Sequence, residues 1–277
     1  MTCPNTEKLI YSIMDPTGNI TALVESPVPA EQQPGIAERI MNEKPAVEQV
    51  GFVDFSGTIP ALRMAGGEFC GNASMCAAAL FALCNRMTGD IVLDVRVSGA
   101  ADPVEVRLRR TDENGFDAAV KMPSALSITE IPLSVDGLNA PVPVVRMEGI
   151  SHLIVSPSSA FYPIFAERPE KGEQALRLWS GQLGADGLGL MMLTPSAVPD
   201  EWKLEPLVYI PGSETLFHEH SCASGTAAAG MYLAHMADAP LSLVFHEPGG
   251  ALSVNAGAEG RGTRLSGKAR FLERCVL

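Results

Sequence analysis

The sequence predicts an α/β (α+β) chain of two pseudo-symmetric lobes, each a curved sheet or barrel wrapped around one central helix. Three observations lead there. Short β-type segments dominate both halves of the chain. Each half holds one helical segment built of small residues and apolar almost all round, which is the mark of a buried helix. Gly (26) and Pro (21) are plentiful, as many short strands joined by turns require. A length of 277 residues fits two domains, and 46% apolar content is enough for two cores.

The N-terminal half opens with strands at Lys8–Met14 and Ile20–Glu25, flanking the turn Asp15-Pro16-Thr17-Gly18-Asn19. A short helix over Pro34–Asn42 carries its proline in the first turn. Gln49–Asp54 and Ile59–Met64 form a strand pair joined at Ser56-Gly57. Ala73–Arg86 is the first buried helix, closed by Gly89. Strands resume at Ile91–Val97, Val104–Arg109 and Phe116–Lys121. The second half repeats the plan. Its strands are Val142–Met147, His152–Val155, Gly189–Leu193 and Leu207–Ile210. A helix of small residues follows at Thr226–Met236 and stops before Pro240. Leu241–His246, Leu252–Asn255 and Thr263–Phe271 complete the strands. The expected lobes are residues 1–125, completed by 263–277, and residues 126–262, with a linker near Pro123–Pro132.

A net charge of −12 without clustered Lys and Arg speaks against nucleic acid and against anionic membrane surfaces. The start shows no basic, then apolar, leader, and no run of about 18 apolar residues suggests a membrane span. The six cysteines (3, 70, 76, 84, 222 and 275) form no Cys-x-x-Cys pair, so a reduced, cytoplasmic protein without a metal site is expected.

Cys70 lies in Gly-Gly-Glu-Phe-Cys-Gly-Asn-Ala-Ser (66–74) and Cys222 in Glu-His-Ser-Cys-Ala-Ser-Gly-Thr (219–226), each at the opening of its half's small-residue helix. A helix N-terminus offers unpaired N–H groups and the positive end of the dipole, which favour thiolate and bind carboxylate. A matched pair suits removal of a proton from one face of a carbon and its return to the other, with no cofactor. Both cysteines are flanked by polar and small residues, unlike core cysteines; Cys76 and Cys84, inside the apolar helix, read as core, and Cys3 and Cys275 carry no assignment. Glu68 and Glu219, just before the cysteines, read equally as partners of a substrate ammonium or as solvated helix-start carboxylates. His246 precedes Glu-Pro-Gly-Gly (247–250), which reads as a turn.

The Thr-Gly-Asn turn at 17–19, Glu-Phe-Cys-Gly-Asn at 68–72 and Ser-Cys-Ala-Ser-Gly-Thr at 221–226 resemble, in order and spacing, the diaminopimelate epimerase superfamily of two-cysteine racemases and epimerases. The resemblance spans nearly the whole chain. It implies two pseudo-symmetric lobes with the site in the cleft between them. It implies Cys70 and Cys222 as the acid/base pair, and backbone N–H groups of Gly71, Asn72, Ala223 and Ser224 as holders of the substrate carboxylate. It also brings Asn19 and His152 to the site. The chain lacks the arginine and distal asparagines expected for diaminopimelate: Gly189-Leu190-Met191-Met192 and Ile150-Ser151-His152 stand where some are expected. A second zwitterionic end would be left unpaired, which rejects that substrate.

Closer similarity is to the histidine racemases of staphylopine-type metallophore synthesis. It rests on Glu48-Gln49-Val50-Gly51-Phe52, Pro206–Pro211, Gly189–Leu193 and His246-Glu247-Pro248-Gly249-Gly250. The implied partner is a small amino acid, L-histidine first, and the expected assembly is compatible with a homodimer. Rival readings are another isomerase on the same fold, a non-catalytic amino-acid binder, and a thiol redox protein. Proline racemases look like Cys-Gly-His where this chain has Cys70-Gly71-Asn72, and phenazine-type isomerases lack the cysteine pair.

Overall fold

The computed structural model describes residues 8–277, and the reading made for Cys3 and for the N-terminal start lies outside them. The chain divides into two compact units. One runs to Ala118 and takes back Lys268–Leu277; the other is Ala119–Gly267. The boundaries fall inside strands β7 (Gly115–Lys121) and β16 (Arg264–Val276), each of which passes from one unit into the other.

In the first unit, β1 (Ile10–Asp15) and β2 (Thr21–Val24) form a hairpin. Its turn needs left-handed backbone at Thr17 (φ 62) and Gly18 (φ 92). Asp15 Oδ1 accepts the Gly18 N–H at 2.6 Å, and Thr17 Oγ1 accepts the Lys268 N–H at 2.9 Å, so the turn is tied at both ends. Helix α1 (Gln33–Glu43) crosses to β3 (Gln49–Asp54), parallel to β2. β4 (Ala61–Met64) returns antiparallel, and α2 (Gly71–Cys84) crosses to β5 (Asp90–Val97), parallel to β4. β6 (Val104–Arg110), β7 and β16 follow, and β16 pairs back onto β1. The result is a closed barrel around α2, whose residues from Gly71 to Leu80 are all buried. α1 packs outside, where Ile36, Ala37 and Ile40 meet Tyr11, Val24, Val50 and Phe52.

The second unit repeats the order. β8 (Ser127–Val135) and β9 (Leu138–Arg146) form a hairpin, then β10 (Ser151–Val155) follows antiparallel to β9. Helices α3 (Tyr162–Glu167) and α4 (Pro169–Leu183) cross to β11 (Leu188–Pro195), parallel to β10. β12 (Glu201–Ile210) returns and carries the short β13 (Thr215–His218). α5 (Ala223–Ala237) then crosses to β14 (Leu241–Glu247), parallel to β12, and β15 (Gly250–Ala256) and β16 complete the sheet. In both units a buried helix bridges two parallel strands, as such strands require a crossover. α4 covers the outer face through Leu176 and Trp179, whose Nε1 donates to Ser134 O at 2.9 Å.

Two expectations need correction. The stretch read as a linker near Pro123–Pro132 is largely strand β8, because Pro132 sits in a ladder position that costs no essential donor on this outermost strand. α2 ends at Cys84 with Asn85 as its C-cap, Arg86 beyond it takes the left-handed conformation (φ 53), and Gly89 (φ 80) only turns the chain into β5. Helices α3 and α4, strand β8 and the first half of β9 were not anticipated: α4 is amphipathic but polar over most of its surface, and its apolar stripe is short.

Small residues let each sheet approach its helix. A Cβ at Gly230 would stand 2.6 Å from Val254 Cγ1, a stiff β-branched neighbour. Gly230→Ala is therefore expected to cost about 1–3 kcal/mol, read as a lower urea midpoint at unchanged slope.

Candidate active site

Cys70 and Cys222 occupy the same local position. Each is the N-cap of the buried helix of its unit, in extended backbone (φ −132 and −116). The next residues begin the helical turn, so the thiols sit beside N–H groups that have no partner within the helix.

An amide and a backbone N–H bond the Cys70 thiol. The Ala73 N–H donates to Cys70 Sγ at 3.4 Å, and the thiol donates to Gln49 Oε1 at 3.0 Å. Gln49 Nε2 donates to Thr21 Oγ1 at 2.7 Å, and that hydroxyl donates to Asn19 O at 3.0 Å. This relay fixes the Gln49 amide orientation and links the thiol to the Thr-Gly-Asn turn. Asn19 is 3% exposed; its Nδ2 donates to Glu48 Oε2 at 3.0 Å, and its Oδ1 has no partner among the described residues. Gly71 and Asn72 are buried in the first turn of α2.

Glu68 is exposed on the approach to Cys70. Neighbouring protein still removes enough water from its carboxyl to push it above the usual carboxylate range, against Arg63 and the N–H groups of Glu68 and Gly66. Gly99 (φ 70) supports this approach: a Cβ there would stand 2.2 Å from Phe69 N.

The surroundings of Cys222 are acidic. The residue is 5% exposed, and its thiol is pushed well above its ordinary value by burial first, then by the charge and hydrogen bond of Glu219 and the charge of Glu247. The Gly225 N–H opposes this and loses. The expectation that the helix end lowers the thiol pKa is thus overturned at Cys222, because desolvation and two carboxyl groups outweigh the dipole. Ser224 Oγ lies 3.7 Å from Cys222 Sγ, and Ala223 is buried.

His152, on β10, is completely buried, and neither ring nitrogen has a partner among the described residues. Burial depresses its pKa to about 3, so the imidazole is neutral. Met191 lies between it and Cys222. A Cβ at Gly189 would stand 2.4 Å from His152 Nδ1 and 2.7 Å from Met191 Cε. A Cβ at Gly225 would stand 2.2 Å from Met191 Sδ and 3.1 Å from Cys222 Sγ. Glycine at both positions makes room for this stack.

Glu247 and Gln49 are the contacts that sequence reasoning left without a role. Both sit in strands beside turn signals, and Glu247 holds an inward phase shared with Leu243 and Phe245. A charged residue on the inward phase of a strand was the available signal. His246 lies on β14, pointing out to Glu201 Oε2 at 2.7 Å, and the expected turn follows at Pro248-Gly249. No group of three or more metal-ligating side chains occurs among the described residues.

A family model described as "Histidine racemase CntK N-terminal domain" matches residues 8–267. The chain belongs to the histidine racemase family. It is an amino-acid racemase, an isomerase. A histidine racemase of Fusobacterium nucleatum subsp. nucleatum is 33% identical over 228 residues, covering 79% of each chain. One from Staphylococcus aureus is 28% identical over 262 residues, covering 91% of this chain and 90% of that protein. Among solved structures, a hydroxyproline epimerase from Agrobacterium vitis aligns at TM-score 0.67 and 12% identity, over 99% of this racemase and 93% of that chain. An epimerase from Pseudomonas aeruginosa aligns at TM-score 0.67 and 15% identity, over 97% and 99%. At these identities the structures show a shared fold.

The His152 environment makes the racemase sensitive to acid. The folded-state pKa lies below the ordinary 6.5, so the unfolded chain binds the extra proton first, and stability falls as pH drops from about 6.5 toward 3. Replacing His152 by Gln is expected to flatten that limb by up to a few kcal/mol, seen in denaturant midpoints at pH 7 and pH 4.5. Gly225→Ala must displace Met191 or the Cys222 thiol, and the expected result is about a tenfold or larger loss of turnover with a folded circular dichroism spectrum.

Proposed function

We propose that this racemase interconverts L- and D-histidine by a two-base exchange at Cα, with Cys70 and Cys222 as the acid/base pair. The observation that carries the reading is the equivalence of the two cysteines: each caps the buried helix of its unit. The substrate follows from the relatives, which carry the name histidine racemase. The reaction class that consumes the product is metallophore assembly of the staphylopine type.

The α-proton of an amino acid is weakly acidic, so the barrier is set by charge developing on the carboxylate. Backbone N–H groups of Gly71, Asn72, Ala223 and Ser224 are the donors assigned to it. In one direction Cys70 takes the proton as base and Cys222, held as a thiol, delivers one to the opposite face; the reverse direction exchanges the roles. Glu68 or Glu219 meets the ammonium. Asn19 and His152 offer buried polar atoms that lack partners among the described residues, a state a polar substrate relieves. The chemistry asks nothing of a cofactor. The described cysteines, 70, 76, 84, 222 and 275, are all free, in keeping with a reducing cytoplasm. No helix among the described residues is long and apolar enough to cross a membrane.

Proton NMR of L-histidine in D₂O with reduced protein is the direct test. Loss of the Cα proton signal with appearance of the D-isomer is expected; exchange confined to other amino acids would remove histidine as substrate. Cys70→Ser and Cys222→Ser should each lower racemisation by about 100-fold or more. Wild-type turnover in both directions by either variant would end the two-base mechanism. Activity is also expected to require a reductant, measured as loss on mild oxidation and recovery with dithiothreitol.

A further inference from the structure

Glu247 closes β14 with its carboxyl buried at the start of α5, the residue as a whole being 8% exposed. Three groups of the Cys222 segment converge on it. The Cys222 backbone N–H donates to Oε2 at 3.1 Å, the Thr226 hydroxyl contacts Oε1, and the Ser221 hydroxyl bonds the same carboxyl. The turn after Glu247 adds a fourth tie, the Gly249 N–H donating to His220 O at 2.7 Å.

The one hydrogen of the Thr226 hydroxyl bears on the carboxyl's state. Thr226 Oγ1 also lies 2.7 Å from Cys222 O. A threonine hydroxyl has one hydrogen and two acceptor lone pairs. It cannot donate fully to the Cys222 carbonyl and to a carboxylate at once. Both contacts are satisfied if the hydroxyl donates to Cys222 O and accepts from a protonated Glu247.

We propose that Glu247 is a positioning residue for Cys222 and acts as a neutral carboxylic acid. Its O–H donates to Thr226 Oγ1, Thr226 donates to Cys222 O, and the acid's remaining oxygen accepts the Cys222 N–H. This ring braces the residue that carries the second thiol from both sides of its backbone. No charge is placed against the thiol while the proton stays.

The surroundings agree. Burial raises the Glu247 pKa to about 8, and the charge of Glu219 adds to the rise, while the donors from Thr226, Ser221 and Cys222 oppose it. Cys222 itself is the other titratable group at this carboxyl. The His220 backbone carbonyl accepts the Gly249 N–H, and His246, next along β14, points out to Glu201. The raised pKa means that the stability the proton lends is full below about 4.5 and lost as pH rises toward about 8.

The role rests on the reading of Cys222 as an acid/base residue; the protonation state does not, and two measurements separate them. The first is infrared spectroscopy of the whole protein. A protonated-carboxyl band should be present at pH 6.5, fade as pH rises through about 8, and be missing from Glu247→Gln. A spectrum at pH 6.5 in which wild type and Glu247→Gln do not differ there overturns the neutral acid, whatever the activity.

The second is steady-state racemisation. Gln reproduces the neutral acid, its NH₂ toward Thr226 and its carbonyl toward the Cys222 N–H. Glu247→Gln should hold kcat within about fivefold of wild type, whereas Glu247→Ala should lose about 10- to 100-fold in kcat with little change in KM. Gln as damaging as Ala overturns the neutral form, and Ala turning over like wild type overturns the positioning role. Should Glu247→Ala fail to fold, Thr226→Val breaks the same ring without removing the carboxyl. It should lower kcat about tenfold and shift the infrared band; an unmoved band and kcat overturn the proposal.

Discussion

Everything in this racemase is arranged around the burial of a helix that has no polar side. α2 is buried from Gly71 to Leu80 and α5 over most of Ala223–Met231, so each needs a sheet around it. The sheets come close only because the helices are built from Ala, Gly and Ser. Gly230 against Val254 shows how little space remains. With the flanks sealed, the one polar feature left on each helix is its N-terminus, where backbone N–H groups need partners. The chemistry is mounted there because no other part of the helix offers hydrogen-bonding capacity.

The two N-termini meet that need differently. At Cys70 the sulfur itself accepts from the helix, and the partners behind it are the Gln49 amide and the Thr21 hydroxyl. At Cys222 a carboxyl from the neighbouring strand takes the backbone N–H, and the thiol lies close to Glu219 as well. The first thiol is therefore held by an amide and a helix N–H, and the second lies in an acidic, desolvated setting. A pair of like groups in unlike surroundings is how a fold gives two residues distinct acid/base roles. The repeat of the fold places equivalent cysteines, and the strands beside them break the equivalence.

The same logic explains the glycines of the second unit. His152, Met191 and Cys222 form a stack with no spare volume, and Gly189 and Gly225 are the positions that would intrude on it. The buried imidazole, without a partner among the described residues, costs about 1–3 kcal/mol, which a folded protein tolerates where a ligand is to be met.

The sequence by itself determined the architecture and the position of the thiols. Alternating strands, Asp15–Asn19 as a turn, and two small-residue apolar helices each opening on a cysteine are local patterns, set by backbone propensity and hydrophobic period. It did not show the whole of the hairpin β8–β9, whose mixed burial and three prolines (132, 141 and 143) weaken the alternation, nor α4, whose apolar stripe is narrow. Tertiary structure alone decided the environment of each thiol. Dipole arguments from the chain pointed to a lowered pKa, yet burial and the carboxyl groups of Glu219 and Glu247 raise that of Cys222. Glu247 is 25 positions further along the chain than the Cys222 it holds, and Gln49 is 21 positions before Cys70. Desolvation and through-space charge depend on which strands lie beside a helix end, and that is fixed by the packing of the sheet, not by residues near the cysteine in sequence.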